Sequence, residues 1–334
     1  MAVSKSLPWN LKNKNMKALQ FNTYGPPGVL TIADHPKPEP RKGEVLVQIR
    51  ATAINPSDVK NVAGHFKSPL PRVPGRDYAG VVVGGDAKNG LEVWGSGAGF
   101  GAVRDDAHTE YIVVPADSIA PKPPRLSTEQ AAAIGVPYLA AWSALVTAGK
   151  VQAGETVLVV GDSGAVGRAA TQIAHWKKAR VIGADIRSEN TSKADTFISA
   201  DPSNLSAEVG RLTSGKGADL VLDTVGGPLF EPSLKSLCYG GRQISIASTQ
   251  ERRVCFDLID FYHNASRLAG VDTMKLTGAE IARIMNELCV GFQAGHLHAP
   301  AITTWPFASA VEAYEVVEKG GSAAKHILIP DAAS

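Results

Sequence analysis

The sequence has few cysteines, and they come late in the chain. Cys238, Cys255 and Cys289 are widely spaced, and no two of them form a Cys-x-x-Cys pair. An odd number at such spacings argues against a disulfide framework and against a cysteine-rich zinc site. We therefore predict buried free thiols and a reducing compartment, the cytoplasm.

The sequence also lacks a long apolar run and an excess of charge of one sign. No stretch approaches the roughly 20 apolar residues of a transmembrane helix. The 34 basic residues nearly balance the 32 acidic ones, for a net charge of +2, so nothing electrostatic favours nucleic acid or an acidic membrane as partner. Residues 1–16 have no apolar core of the signal-peptide type, and we predict a flexible extension there.

Helical periodicity is missing before about residue 55, although 334 residues are enough for two domains. Residues 17–25 and 44–53 alternate between apolar and polar side chains, which is typical of half-buried strands. After Gly149, apolar runs alternate with helical segments, as in a parallel α/β domain. The strands predicted there are 155–160, 180–185, 196–199, 219–223, 242–247 and 267–271. After about residue 290, we expect extended chain over 302–307, a helix over 308–319 and a last strand over 326–329.

One segment combines a strand, a glycine turn, a helix and a second strand. The apolar run 156–160 precedes three glycines, and the helix predicted over 168–178 leads to a strand that ends at Asp185. Glycines at this spacing allow a sharp turn, a close approach of a pyrophosphate and close packing of helix on strand. An ordinary glycine-rich surface turn explains neither the spacing nor the acid. The turn residues predicted to bind a dinucleotide are Gly161, Ser163, Gly164, Ala165, Val166 and Gly167.

The residues after the second strand give conflicting indications about the cofactor. An acid at this place normally binds the ribose 2′-hydroxyl of NAD, whereas a nearby arginine accommodates the 2′-phosphate of NADP. The chain has both in Asp185 and Arg187, followed by Ser188. Asp185 would repel a phosphate unless it turned away or paired with Arg187.

Eight segments of the chain are informative as a set, and they are AINPSDVK, PRVPGRDYAGVVV, AHTEYIVVPADSIAPKP, LSTEQAAAIGVPYLAAWSAL, GDSGAVG, GADLVLDTVGG, GGRQISIAS and AAKHILIP. Together they resemble the zinc-independent quinone oxidoreductase and enone reductase branch of the medium-chain dehydrogenase/reductase superfamily. The resemblance covers about residues 17–330 and implies an α/β protein with a GroES-like β-rich catalytic domain and a Rossmann domain with a doubly wound parallel sheet. The implied boundaries are 17–135 and 288–334 for the first domain and 136–287 for the second.

The resemblance bears on metal binding as well. In the zinc-dependent relatives, a cysteine ligand and a His-Glu pair occupy the segments matched here by residues 55–60 and 75–80, where this chain has neither. His65, His108 and His175 do not form a ligand set with plausible spacing, so we predict no metal. Without a Lewis acid, alcohol oxidation lacks its usual way to stabilise an alkoxide. Hydride addition to a carbonyl-conjugated C=C bond needs only a hydrogen bond to the enolate and a proton.

The resemblance also implies site residues near the nicotinamide. Asn55, Asp58 and Lys60 match family positions there, and Lys60 or Asn55 would donate a hydrogen bond to the ribose or to the substrate carbonyl. A turn opener at Asn55 and a helix N-cap at Asp58 are the structural alternatives. Further cofactor contacts are predicted for Thr224, Val225 and Gly226 after the fourth strand, and for Lys325.

Two positions depart from the family pattern. Phe66 stands where enoyl-thioester reductases with a similar segment have a tyrosine proton donor, which favours a quinone or enone substrate. Ala140 replaces a threonine of the linker helix that could hold the nicotinamide. The residues predicted to line an apolar substrate pocket are Phe66, Tyr138, Trp142, Phe261 and Tyr262, although core packing is the plainer explanation for the last four.

The predicted function is therefore the transfer of hydride from NAD(P)H to an enone, enal or quinone. The family favours NADPH, with NADH as the alternative, and a homodimer formed through the edge of the Rossmann sheet near residues 267–272. A zinc-free carbonyl reductase or alcohol dehydrogenase is the competing enzyme. A low-activity NADPH-binding sensor or structural protein is the competing class.

Overall fold

The computed structural model describes residues 15–97, 99, 104–105, 107–187, 189–248 and 251–331. The extension predicted for residues 1–16 thus lies outside the described part, except for its last two residues, which begin the first strand.

The first part of the chain is rich in antiparallel strands, as predicted. In β3, Val45, Val47 and Ile49 lie on one face and pack into a core with Tyr78 and Val82, whereas the polar Gln48 and Arg50 lie on the other face. This period of two places one face of the strand in the core. The elements are β1 (Asn15–Phe21), β2 (Leu30–Pro36), β3 (Glu44–Ala53), α1 (Pro56–Val62), β4 (Asp77–Gly85), β5 (Glu92–Ser96), β6 (Tyr111–Pro115) and β7 (Ala120–Pro121).

Residues 126–145, the segment that resembles the linker helix of the family, do not form one continuous helix. They form α2 (Thr128–Ala132) and α3 (Gly135–Trp142), and a π-helical turn over Ser143–Ala148 follows. The break coincides with the buried Asp77 carboxylate, whose Oδ1 accepts a hydrogen bond from the Val136 N–H at 2.9 Å. A Cβ on Gly135 would lie 2.9 Å from the Asp77 Cβ and closer still to its carboxylate. A long-range contact therefore restarts the helix.

The middle of the chain forms a doubly wound parallel sheet. Its strand order is β10-β9-β8-β11-β12-β13, with every pair parallel, and this is the order of a dinucleotide-binding fold. Helix α4 begins three residues before the predicted start, because Gly164 is the extended N-cap. The elements are β8 (Thr156–Val160), α4 (Ala165–Trp176), β9 (Arg180–Asp185), β10 (Thr196–Ser199), α5 (Leu205–Leu212), β11 (Ala218–Asp223), α6 (Phe230–Lys235), β12 (Leu237–Ser245), α7 (Leu258–His263), β13 (Arg267–Gly270) and α8 (Gly278–Ala294).

The last part of the chain returns to the first sheet. Strand β14 (Ile302–Pro306) and helix α9 (Ala310–Lys319) lead to β15 (Lys325–Ile329), which pairs with β14 and antiparallel with β3. The second sheet therefore has the order β14-β15-β3-β4-β5-β7, with β6 also paired to β3. The domain boundary predicted between residues 287 and 288 falls inside helix α8, which has no break there. The predicted domain boundaries stay a prediction.

The three cysteines are free, but they differ in exposure. Cys238 is buried and Cys289 is half-buried, whereas Cys255 is exposed, so the prediction of buried thiols is wrong for Cys255. Within the described ranges, no helix combines the length and apolar character needed to cross a membrane.

Candidate active site

A cavity of about 530 Å³ lies between the parallel sheet and the returning C-terminal segment. One wall is formed by the residues that follow β8 and β9. The other wall is formed by α3 and by the chain around β15. The cavity brings together residues far apart in sequence, as expected for a ligand site between two domains. Of the predicted site residues, it is lined by Ser163, Gly164, Ala165, Arg187, Tyr138 and Lys325.

The glycine turn has the close packing that a phosphate cradle requires. Gly161 has a φ of 81°, which favours glycine. A Cβ on Gly167 would lie 2.5 Å from the Asp162 Cα, so helix α4 can approach β8 only without a side chain there. The Ser163 hydroxyl is buried beside the cavity, and no described residue is its hydrogen-bond partner. The turn therefore fits a dinucleotide, whose phosphates prefer helix N-termini. Val166 instead packs against the core.

The carboxylate of Asp185 is directed back to the main chain. Its Oδ2 accepts from the Ser163 N–H at 3.0 Å, and its Oδ1 accepts from the Arg187 N–H at 3.1 Å. The guanidinium of Arg187 is not paired with this acid in the described part of the chain, and it lines the cavity. Asp185 has thus turned away, which is the arrangement that leaves Arg187 available for a phosphate. Ser188 lies outside the described residues.

The loop after β11 lies against the glycine turn. The Thr224 hydroxyl donates to the Val160 carbonyl at 2.8 Å, and a Cβ on Gly161 would lie 2.9 Å from Val225 Cγ2. The Asp223 carboxylate accepts hydrogen bonds from the N–H groups of Val225 and Gly226. The predicted cofactor residues Thr224, Val225 and Gly226 therefore pack against or near the glycine turn and are not among the residues that line the cavity.

A buried polar network lies beside the cavity. The Asn55 side chain donates to Asp77 Oδ2 at 2.9 Å and accepts from the Lys325 ammonium group. Asp77 also accepts from the Ser96 hydroxyl. Asn55, Asp77 and Lys325 are all at least 93% buried, and burial lowers the pKa of Lys325. Lys325 is the member of this network that reaches the cavity.

The predicted catalytic residues on α1 separate into two environments. Asp58 is buried and accepts from the Asn55 N–H at 2.7 Å, so it forms a capping box with Asn55. Burial, reinforced by the charge of Asp77, raises its pKa to about 7. Lys60, two residues later, is exposed and is not among the residues that line the cavity. The structure therefore brings Asn55 to Lys325, not to Lys60.

The buried network of Asn55, Asp77 and Lys325 does not fit a zinc ion. An amide, a carboxylate and an ammonium group meet in it, and both oxygens of Asp77 already accept hydrogen bonds. Zinc requires three or four deprotonated ligands, and an adjacent ammonium group opposes the cation. Within the described ranges, no three His, Cys, Asp or Glu side chains converge to hold a metal ion.

The predicted aromatic pocket is not assembled as expected. Tyr138 does line the cavity, and its hydroxyl donates to the His298 carbonyl at 2.6 Å and accepts from Gln172. Trp142 packs in the core against Trp176. Phe66 is exposed and does not line the cavity.

Phe261 and Tyr262 lie elsewhere. Phe261 lines a different cavity of about 360 Å³ between α6 and α7, and Tyr262 is 58% exposed. Phe261 packs against the core on the face of the parallel sheet that α5 and α6 cover. The local sequence does not encode this placement.

The sequence analysis did not identify Arg168 and Lys193, which line the cavity, or Asp77, which lies beside it. Arg168 donates to the Ser163 and Ala323 carbonyls at 3.0 and 2.9 Å, which joins the glycine turn to the returning segment. A cation in the first turn of a helix opposes the helix dipole, and this was a detectable signal. Asp77 lies within the segment PRVPGRDYAGVVV, where no local pattern distinguishes it from the neighbouring residues. Lys193 had no recognisable pattern around it.

The comparisons with known proteins agree with this architecture. The model of the alcohol dehydrogenase GroES-like domain matches residues 41–124, and the zinc-binding dehydrogenase model matches residues 165–288. A zinc-type alcohol dehydrogenase-like protein of Schizosaccharomyces pombe is 34% identical over 288 residues, covering 84% of this chain and 86% of its own. The human quinone oxidoreductase is 29% identical over 95% of this chain and 98% of its own.

A solved structure of a mycobacterial protein complexed with NADPH is also similar. It has a TM-score of 0.83 and 27% identity, and the match covers 94% of this chain and 100% of the other. The GroES-like domain and the parallel dinucleotide-binding sheet predicted from the sequence are thereby confirmed.

Proposed function

Since the chain belongs to the medium-chain dehydrogenase/reductase superfamily, we propose that it uses NADPH to reduce quinones or carbonyl-conjugated C=C bonds without zinc. The observation that carries the proposal is the buried Asn55–Asp77–Lys325 network beside the cavity, which places an ammonium group there and offers no set of zinc ligands. The likeness to quinone oxidoreductases over nearly the whole chain supports the same conclusion.

The residues of the cavity divide the work between the two ends of the cofactor. The glycine turn and the N-terminus of α4 hold the phosphates, since their N–H groups and the helix dipole favour anions. Asn55 and Asp77 fix Lys325 at the other end. The nicotinamide supplies the hydride when the cofactor is bound.

Lys325 is the group we assign to the substrate oxygen. Hydride addition to the β-carbon of an enone moves an electron pair onto the carbonyl oxygen, and a buried ammonium group stabilises that charge. Because burial lowers the pKa of Lys325, it is also a better proton donor than a lysine in water. With a quinone, the same ammonium group stabilises the hydroquinone anion.

NADPH is preferred over NADH in this proposal. The carboxylate of Asp185 accepts hydrogen bonds from main-chain N–H groups, and Arg187 lines the cavity with no carboxylate paired to it among the described residues. The similar mycobacterial structure carries NADPH. We further propose a cytoplasmic homodimer joined at β13, because this strand closes the parallel sheet and all four of its residues are exposed.

A second candidate is reduction of an isolated carbonyl group. The S. pombe relative is named as alcohol dehydrogenase-like, and Lys325 would stabilise an alkoxide as well as an enolate. The two reactions differ in their product, because an enone yields a saturated ketone in the first and an allylic alcohol in the second.

The test is NADPH and NADH oxidation with one quinone, one enone, one alkenal and one simple ketone, followed by product identification. We expect turnover of the quinone or the enone with NADPH, a saturated ketone from the enone, and activity that a zinc chelator leaves unchanged. Turnover of the simple ketone alone would establish the second candidate. Loss of activity on chelation would refute the zinc-free mechanism.

A further inference from the structure

The connection between β9 and β10 is unusual for parallel strands. Such strands are normally joined by a helix that packs on the sheet. The described residues between Asp185 and Thr196, which are 186–187 and 189–195, contain no helix. Thr191, Ser192 and Lys193 of this connection line the cavity on the side of Arg187. A short irregular segment thus forms the cavity wall after β9, and its position must be fixed by side chains.

Asp162 is the side chain that fixes this segment. It lies within the glycine turn and is fully buried. It accepts hydrogen bonds from the Ser192 hydroxyl and, at 2.6 Å, from the Thr171 hydroxyl of α4. A Cβ on Gly183 would lie 2.7 Å from the Asp162 Cγ, so β9 leaves space for this carboxylate. Burial of a carboxylate costs free energy unless the carboxylate accepts hydrogen bonds. Within the described residues, the hydrogen bond from Ser192 is the only one that Asp162 accepts from the β9–β10 connection.

Three cationic side chains lie at this end of the cavity. Arg168, Arg187 and Lys193 line it, and no ion pair joins any of them to a carboxylate in the described part of the chain. The pKa of Arg168 is lowered by burial and further by the charge of Arg187. Like charges directed into one cavity repel each other until an anion is bound between them. A phosphate monoester, with its high charge and several acceptor oxygens, is the kind of anion that such a group of cations binds.

We infer that Asp162, acting through Ser192, is a positioning residue for the 2′-phosphate of a nucleoside 2′,5′-bisphosphate. The Asp162–Ser192 hydrogen bond holds the helix-free connection so that Lys193 faces the cavity beside Arg187. The inference rests on the proposed use of NADPH, and it adds a residue of the glycine turn that sets cofactor preference without contacting the cofactor phosphate.

The experiment compares two adenosine fragments and needs no turnover. Binding of 2′,5′-ADP and of 5′-AMP is measured by isothermal titration calorimetry with the full-length protein and its variants. We expect Ser192→Ala to weaken 2′,5′-ADP about tenfold and to change 5′-AMP by less than twofold. Ser192→Thr, which keeps the hydroxyl, should retain the binding of both fragments.

Two further variants separate positioning from a general structural effect. Asp162→Asn should weaken 2′,5′-ADP about as much as Ser192→Ala does, and the double variant should be no weaker than either single one. Thr171→Val removes the other hydrogen bond of Asp162 without touching the connection, and it should leave the ratio of the two affinities unchanged. Equal weakening of both fragments by Ser192→Ala, additive effects in the double variant, or an unchanged affinity for 2′,5′-ADP would each overturn the inference.

The outcome is distinguishable from that of the proposed function. If the wild-type protein prefers 2′,5′-ADP but reduces no acceptor, the 2′-phosphate site is supported and the proposed reductase activity is refuted. If the protein reduces enones with NADH and binds the two fragments equally, the reductase activity is supported and the 2′-phosphate site is refuted.

Discussion

The two ends of the cavity are built in different ways. The phosphate end is formed mainly by the main chain, because glycines, N–H groups and a helix N-terminus follow one another within residues 161–168. The other end is formed by side chains, since Asn55, Asp77 and Lys325 are brought together from three distant strand and helix ends. An added side-chain atom should therefore disrupt the first end, whereas the loss of a charge should disrupt the second. The two ends should therefore fail differently when they are altered.

The largest effect on cofactor binding is expected at the phosphate end. Gly167→Ala places a Cβ 2.5 Å from the Asp162 Cα and 2.6 Å from the Asp162 carbonyl oxygen, and neither main-chain atom can move freely. We expect the affinity for NADPH to fall at least a hundredfold, or ~3 kcal/mol, as measured by fluorescence titration.

The matched control is Gly210→Ala in helix α5, where an added Cβ meets no atom within 4 Å. It should leave NADPH binding unchanged and raise the free energy of unfolding by about 0.5–1 kcal/mol, because alanine favours the helix. Similar binding by the two variants would mean that the turn is not the cofactor site.

The two ends of the cavity also differ in how much of their structure can be predicted from the sequence. The turn, the strands around it and the return of the C-terminal strand were predictable, because each depends on a local pattern or on a resemblance. The pairing of Asn55 with Lys325 was not, because it joins residues 270 positions apart. The break at Gly135 and the exposure of Lys60 also depend on which faces pack together. Phe261 was misplaced for the same reason: its apolar character specifies burial but not the partner.

The second prediction concerns the charge balance of the side-chain network. Asp77→Asn removes the carboxylate whose charge most strongly favours the buried Lys325 ammonium group, and it leaves Asp58 as the weaker one. Asp77 and Lys325 are linked through the Asn55 side chain, and removal of one charge from such a buried arrangement typically costs about 3–5 kcal/mol. We expect a loss of this order in the free energy of unfolding, measured in urea. The double variant Asp77→Asn/Lys325→Met should lose less than the sum of the two single variants. Additive losses would show that the two side chains do not interact.

The third prediction uses the pKa of Asp58, which burial and the charge of Asp77 raise to about 7 from an ordinary value of 3.8. Between these values the folded protein keeps a proton that the unfolded chain releases. The stability contributed by Asp58 therefore falls as the pH rises from about 4 to 7, by at most ~1.4 kcal/mol per pH unit. The hydrogen bond from the Asn55 N–H and the charges of Arg76 and Lys325 lower this pKa, and the value of about 7 already includes their effect.

The measurement is the free energy of unfolding of wild type and of Asp58→Asn across that pH range. The variant should gain stability relative to wild type as the pH rises. Asp201→Asn serves as a control with the opposite sign, because hydrogen bonds from Ser203 lower the pKa of Asp201 and its contribution is lost as the pH falls. A difference between wild type and Asp58→Asn that stays constant with pH would mean that Asp58 is ionised throughout.

The smallest effect is expected for Lys60, and it decides which lysine serves the substrate end. Lys325 is buried and lines the cavity, whereas Lys60 is exposed on α1 and does not. Lys325→Met removes a donor that acts on developing charge, for which losses in kcat of about 10²–10³-fold are typical. Lys60→Met should change kcat/KM for the best acceptor by less than threefold. A loss of kcat/KM above tenfold for Lys60→Met, with little loss for Lys325→Met, would show that Lys60 is the hydrogen-bond donor to the substrate. Lys60 would then have to turn inward once the cofactor is bound.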